Sequence, residues 1–182
     1  MSRLNELYKK EIIQKMKEIF GYKNDLAVPK IEKVTINVGL GEALKKKDPK
    51  IVEAAKNTII KITGQNPIET KAKKSISGFK IRKGQVVGLK VTLRKEKMYD
   101  FIDKLINITI PRTRDFRGIP LSSLDKKGNL SLGFKEQLIF PEISPQEVEK
   151  IHGLGIVITT TAKNKEEGMT LLKLFGFPFK EK

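Results

Sequence analysis

Cysteine and tryptophan are absent from the 182-residue chain, and histidine occurs once, at His152. Without a thiol there can be no disulfide framework, thiolate metal site or cysteine nucleophile, and the cytoplasm is the natural compartment. A lone histidine cannot pair with another to hold a metal, and without a serine elbow it makes no triad. It reads as a surface or structural residue. Long apolar runs are also missing: no stretch approaches the ~18 residues of a spanning helix. The opening MSRLNELYKKEII is charged throughout, where a signal peptide would be apolar. Export and membrane insertion are therefore not expected. Acid is scarce too, with 21 Asp and Glu against 37 Lys and Arg, a net charge of +16. An excess of that size repels itself and points to a polyanion, nucleic acid ahead of an anionic membrane.

What is present is enough to fold. Hydrophobic residues make up 38% of the chain, and the length suits one domain with a real core. Neither an internal repeat nor a Pro/Gly/Ser linker divides it, so residues 1–182 are expected to form a single domain.

The apolar pattern alternates between two periods. Leu4, Leu7, Tyr8, Ile12, Met16, Ile19 and Phe20 recur at helical steps before Gly21. Val34, Ile36, Val38 and Leu40 alternate with Lys33, Thr35 and Asn37, which predicts a strand with one dry and one polar face. Asp48 and Pro49 read as the capped start of a helix striped by Val52, Ala55, Ile59 and Ile62 and ended by Gly64. A short strand around Ile68 precedes a second alternating one, with Val87, Leu89, Val91 and Leu93 inward and Lys90, Thr92 and Arg94 outward. Met98, Phe101, Ile102, Leu105 and Ile106 form the clearest helical stripe, closed by Pro111. LSLGFKEQLIF and GIVITTTA have strand character. Ser144 to Glu147 has capping-box spacing for a short helix, and Asn164 with Glu167 for the last one. The expected fold class is α+β: one mainly antiparallel sheet with helices packed on its apolar side and long basic loops.

Two segments follow no period. KAKKSISGFKIRKGQ, Lys71 to Gln85, holds six lysines and arginines and no acid; PRTRDFRGIPLSSLDKKGNL is the other. Each combines guanidinium groups and small residues with an aromatic, Phe79 or Phe116. Loops of that length are more often functional than idle. Phosphates bind such cations with release of counterions, and arginine adds a bidentate fork. By contrast GLGEAL has Leu44 where a dinucleotide loop needs its third glycine, and no P-loop occurs. The acids Asp100, Asp103 and Asp115 lie beside basic residues and read as solvated ion pairs. No catalytic residue, metal ligand or cofactor is expected. Polar groups on a sheet face suit RNA, which is recognised through shape, unstacked bases and 2′-hydroxyls.

ITGQNPIETKAKKSISGFKIRKG, GLKVTLR, KMYDFIDKLI, PRTRDFRG, GNLSLGFKEQLIFPEI and TTTAKNKEEGMTLLKLFGFPF closely resemble the family of bacterial large-ribosomal-subunit protein five, which binds 5S rRNA. The match runs in order from Lys30 to Phe179. It departs at Lys95-Glu96, where an Arg-Gly pair is common, and at Leu154-Gly155, where Met-Asp is usual. The resemblance implies a non-enzymatic protein of the cytoplasmic ribosome whose sheet face docks on 5S rRNA. Asn37, Gln65 and Thr92 would be its polar readers, with Arg94 on phosphates; the strand alternation adds Lys33 and Lys90. The Lys71 to Gln85 arm would reach the P-site tRNA through Lys71, Lys73, Lys74, Ser75, Ser77, Lys80, Arg82 and Lys83, and would be loose when empty. Arg112, Arg114 and Arg117 would face the large-subunit 23S rRNA. The remaining implied partners are small-subunit protein thirteen across an inter-subunit bridge, whose contact residues the resemblance does not assign, and other 5S-associated ribosomal proteins. Two competing classes share the charge: an unselective RNA chaperone, and an RNA-cleaving enzyme, for which no acid-base pair is present.

Overall fold

The computed structural model describes residues 2–41, 49–114, 116–148 and 151–180. Five strands form one antiparallel sheet in the order β2-β3-β1-β5-β4. They are β1 (Ile31–Gly39), β2 (Ile68–Lys71), β3 (Val86–Leu93), β4 (Leu130–Phe134) and β5 (Leu154–Thr160). The helices are α1 (Arg3–Leu7), α2 (Ile13–Phe20), α3 (Pro49–Thr63), α4 (Lys95–Lys104) and α5 (Lys165–Leu174). The α+β expectation holds. The expected cap at Asp48 lies outside the described residues.

The chain groups into two compact units, each made of separated segments. One comprises Met1–Val34, Leu93–Leu132 and Val157–Lys182. In it, α1 packs on α4, and Tyr8 stacks on Phe175 with ring centroids 5.9 Å apart while Tyr99 tilts against the same ring. The Tyr8 hydroxyl donates to the Pro29 carbonyl, and burial pushes its pKa up to about 12. Between α1 and α2 the helix widens into a π-turn, Tyr8–Ile12. Ile19 departs from the expected stripe. Leu4, Tyr8, Ile12 and Met16 are buried at steps of four, and Ile19, which a 3.6-residue period would bring inward, is 58% exposed.

The other unit comprises Thr35–Thr92 and Gly133–Ile156. Ile36, Val38, Leu89 and Val91 on the strands and Ala55, Ile59 and Ile62 on α3 supply its buried core, as the periodicities require. Two expectations fail here. Strand character stops at Phe134; Gln137–Ile139 is a 3-10 turn in which Gln137 is fully buried and accepts the His152 N–H at 2.6 Å. The helix expected after Ser144 is a single 3-10 turn, Pro145–Glu147, whose N-cap hydroxyl makes no capping bond. The last helix also departs from its expected cap: Asn164 makes no side-chain bond, and Glu167 instead accepts the Lys163 N–H at 2.9 Å.

Only two described non-glycine residues have positive φ, Lys80 at 55° and Lys95 at 54°. A left-handed backbone costs an L-residue with a Cβ roughly 1–2 kcal/mol. Lys95 opens α4, so its charge also sits at the positive end of the helix dipole. Lys95→Gly should therefore stabilise the free protein by about 0.5–1 kcal/mol, part of the relief being offset by glycine's greater unfolded-state entropy. A higher urea midpoint at unchanged slope is the expected reading; an unchanged or lower one would mean that Lys95 is relaxed in solution.

Candidate nucleic-acid interface

The strand alternation sets the first part of the interface. On β1, Val34, Ile36 and Val38 are buried while Asn37 is exposed. On β3, Leu89, Val91 and Leu93 are buried, Lys90 is exposed and Thr92 half-buried. Asn37, Lys90 and Thr92 thus share the polar side of the sheet. The β2 register pairs Ile68 with Lys90 and Thr70 with Gly88, which extends that side to the edge strand. Ile68 is 73% exposed there.

Three sequence-predicted members sit differently. Gln65 lies on no strand: it is half-buried in the turn between α3 and β2, and its side-chain amide donates to the Gly64 carbonyl. The turn is set by Gly64 at φ 64° and by Thr63, whose hydroxyl accepts the Gln65 N–H at 3.2 Å. Arg94 lies just past β3 as the N-cap of α4, exposed and with no side-chain cap bond. Lys33 is half-buried where the β1 alternation changes phase, since Ile31, two residues earlier, is buried.

The second part is the Lys71 to Gln85 arm. It continues the β2-β3 hairpin as a cross-bonded finger. At its base Ala72 donates to the Gln85 carbonyl at 2.8 Å, and Gly84, at φ 86°, donates to the Ala72 carbonyl at 2.9 Å. Midway, the Lys83 N–H donates to the Ser75 hydroxyl at 2.9 Å. Ile76 and Ile81 exchange both backbone bonds, at 2.9 and 3.1 Å. A 3-10 turn, Ser77–Phe79, caps the finger, and left-handed Lys80 closes it. Lys71, Lys73, Lys74, Ser75, Ser77, Lys80, Arg82 and Lys83 are all exposed. Within this glycine- and serine-containing stretch the backbone is hydrogen-bonded across the finger.

The third part, Arg112, Arg114 and Arg117, is exposed after the π-turn that ends α4. Phe116 beside them is 37% exposed. Among the described residues, none of the cations in these three parts is held in an ion pair. The pairs that exist, such as Arg3 with Asp103 at 2.7 Å, lie elsewhere. Nor do the described residues bring three His, Asp or Glu together as a metal cluster. What the parts offer is unpaired charge and hydrogen-bonding groups on a fixed backbone.

Comparison with known proteins is consistent along the chain. Residues 24–82 match the family model described as "Ribosomal protein L5", and residues 86–179 match the model for the C-terminus of the same ribosomal family. The "Large ribosomal subunit protein uL5" of Caldanaerobacter subterraneus subsp. tengcongensis is 56% identical over 179 residues, covering 98% of this chain and 99% of that protein. The protein of the same description from Geotalea uraniireducens is 56% identical over 180 residues, 99% of each chain. The one from Colwellia psychrerythraea is 52% identical over 182 residues, 100% of this chain and 99% of its own.

Proposed function

Since the chain belongs to the ribosomal protein L5 family, a structural and non-enzymatic constituent of the large ribosomal subunit, we propose that its polar sheet side holds 5S rRNA and its basic finger meets P-site tRNA. The observation that carries this reading is the polar set of exposed Asn37 and Lys90 with half-buried Thr92, backed by buried Ile36, Val38, Leu89 and Val91. An amide and a hydroxyl can pair with 2′-hydroxyls and base edges, while unpaired cations set register on phosphates. Lys33, Gln65 and Arg94 flank the same two strands in sequence and extend the contact. Arg112, Arg114 and Arg117 take large-subunit 23S rRNA. An inter-subunit bridge to small-subunit protein thirteen and contacts with other 5S-associated ribosomal proteins belong to the same reading, with no contact residues assigned to them.

The test is footprinting of purified 5S rRNA with and without the protein, against competitor RNAs of similar length. One compact protected region, resistant to competitors, is expected. Even protection of every RNA would instead make the protein an unselective chaperone. Asn37→Ala should weaken 5S binding by about 1–3 kcal/mol, because an RNA group brought into a closed contact would lose its partner. Isothermal titration of the variant reads that loss directly. Were Lys80→Ala with Arg82→Ala to abolish 5S binding while Asn37→Ala left it intact, the roles of sheet and finger would be exchanged.

A further inference from the structure

Charge alone does not account for the end of the finger. Phe79 at its apex is 70% exposed, and Ile76, the bridge residue leading into the apex turn, is 48% exposed. Single exposed apolar residues are ordinary, and several others occur among the described residues. These two differ by position. They sit at the tip of a projection whose neighbours Lys73, Lys74, Lys80, Arg82 and Lys83 are all exposed, in a stretch from Lys71 to Gln85 without one acid. An apolar centre with a cationic rim is complementary to a flat base or ribose bordered by phosphates. It is ill matched to a neutral protein groove.

The backbone also holds in place the turn that carries the ring. The paired bonds between Ile76 and Ile81 sit just below the tip, the Lys80 N–H donates to the Ser77 carbonyl at 2.9 Å, and Lys80 is left-handed at φ 55°. A residue on a hydrogen-bonded turn has less backbone freedom to lose when it binds. A tip that served only to bring ammonium groups near phosphates would need neither the ring nor the strained residue after it.

We infer that Phe79 is a base-stacking residue, and that the finger recognises an RNA surface presenting an unstacked base or the open face of a terminal pair, with Lys80 and Arg82 on the flanking phosphates. This rests on the reading that the finger meets P-site tRNA. Stacking tolerates any base because every base has a π-face, so the contact serves all tRNAs alike.

Ribosomes carrying the full-length chain with Phe79→Ala, Phe79→Leu, Phe79→Tyr or Phe79→Trp separate this from charge. Retention of P-site tRNA should fall roughly 5- to 150-fold for Phe79→Ala, the range for losing one stacked base. Phe79→Leu, apolar but not planar, should behave like Phe79→Ala, while Phe79→Tyr and Phe79→Trp keep wild-type retention. The loss should persist as salt is raised, unlike that of Lys80→Ala with Arg82→Ala. Wild-type retention in Phe79→Ala or Phe79→Leu overturns the stacking role. If the Lys80, Arg82 double variant weakens retention in the same assay, the finger-tRNA reading survives that failure. If the double variant too retains tRNA fully, both fall.

Discussion

Raising monovalent salt from about 50 to about 200 mM should weaken binding to 5S rRNA by about 10³, if the protein neutralises about six phosphates. Each contacted phosphate releases close to one condensed counterion, so log K falls by about 0.9 per contact per decade of salt on the duplex-DNA scale, and a fourfold change is about 0.6 of a decade. The structure makes the prediction more than a restatement of net charge. Lys33, Lys90 and Arg94, like the finger cations, have no acidic partner among the described residues. An ammonium already paired with a carboxylate would exchange one partner for another and release fewer ions; Lys10, Lys15 and Lys17, held by Glu6, Glu11 and Asp25, are of that kind. Lys90→Ala should reduce the slope by about one, whereas Asn37→Ala should lower affinity at every salt concentration and leave the slope alone. A flat response in the wild-type protein would mean that 5S rRNA is held by neutral contacts and that the cationic face has another use.

How far the sequence carries depends on which force settles each segment. Burial settles β1, β3 and α3, and their alternations and stripes translate directly into buried Val34, Ile36, Val38, Ala55, Ile59, Leu89 and Val91. Where hydrogen bonding settles the outcome, the same apolar letters mislead. Leu138, Ile139 and Phe140 look like the end of a strand, yet the segment turns because the buried Gln137 side chain accepts a backbone N–H from His152, fifteen residues away. Ile19 belongs to the helical stripe by spacing, yet in the last turn of α2, just ahead of Gly21, it is 58% exposed. The finger is the sharper case. Its lysines, serines and glycines carry no period, but two isoleucines five residues apart close a bonded loop that composition cannot show. At the interface, alternation places Asn37, Lys90 and Thr92 on one side, while Gln65 is assigned to that side by family motif alone and sits in a turn. Phe79 is visible in the sequence as an exposed aromatic; its standing at the apex of a fixed turn is not.

Gly168→Ala should destabilise the protein by about 3 kcal/mol, the upper end of the usual overpacking range, and so lower the melting temperature by about 6–12 °C at this chain length. Helix propensity predicts the opposite sign, since alanine is better than glycine inside a helix by about 1 kcal/mol. Packing decides against it. A Cβ on Gly168 of α5 would lie 2.6 Å from the carbonyl oxygen and 2.9 Å from the carbonyl carbon of Gly128, backbone atoms that cannot swing aside like a side-chain tip. The Gly128 turn is anchored on its other side. Asp125 accepts the N–H groups of Lys127 and Asn129 at 2.9 and 2.7 Å, Asn129 accepts the Thr160 N–H at 2.9 Å, and the Thr160 hydroxyl donates to the Gly128 carbonyl at 3.1 Å. The helix cannot retreat either without exposing Leu171 and Leu172, both fully buried. Each methyl-sized displacement therefore breaks a bond at the turn or opens a gap beneath the helix, and both outcomes cost stability. Thermal unfolding followed by circular dichroism reads the result. A variant melting at or above the wild-type temperature would show that the two backbones stand apart in solution, and that glycine at 168 answers to something other than the turn it faces.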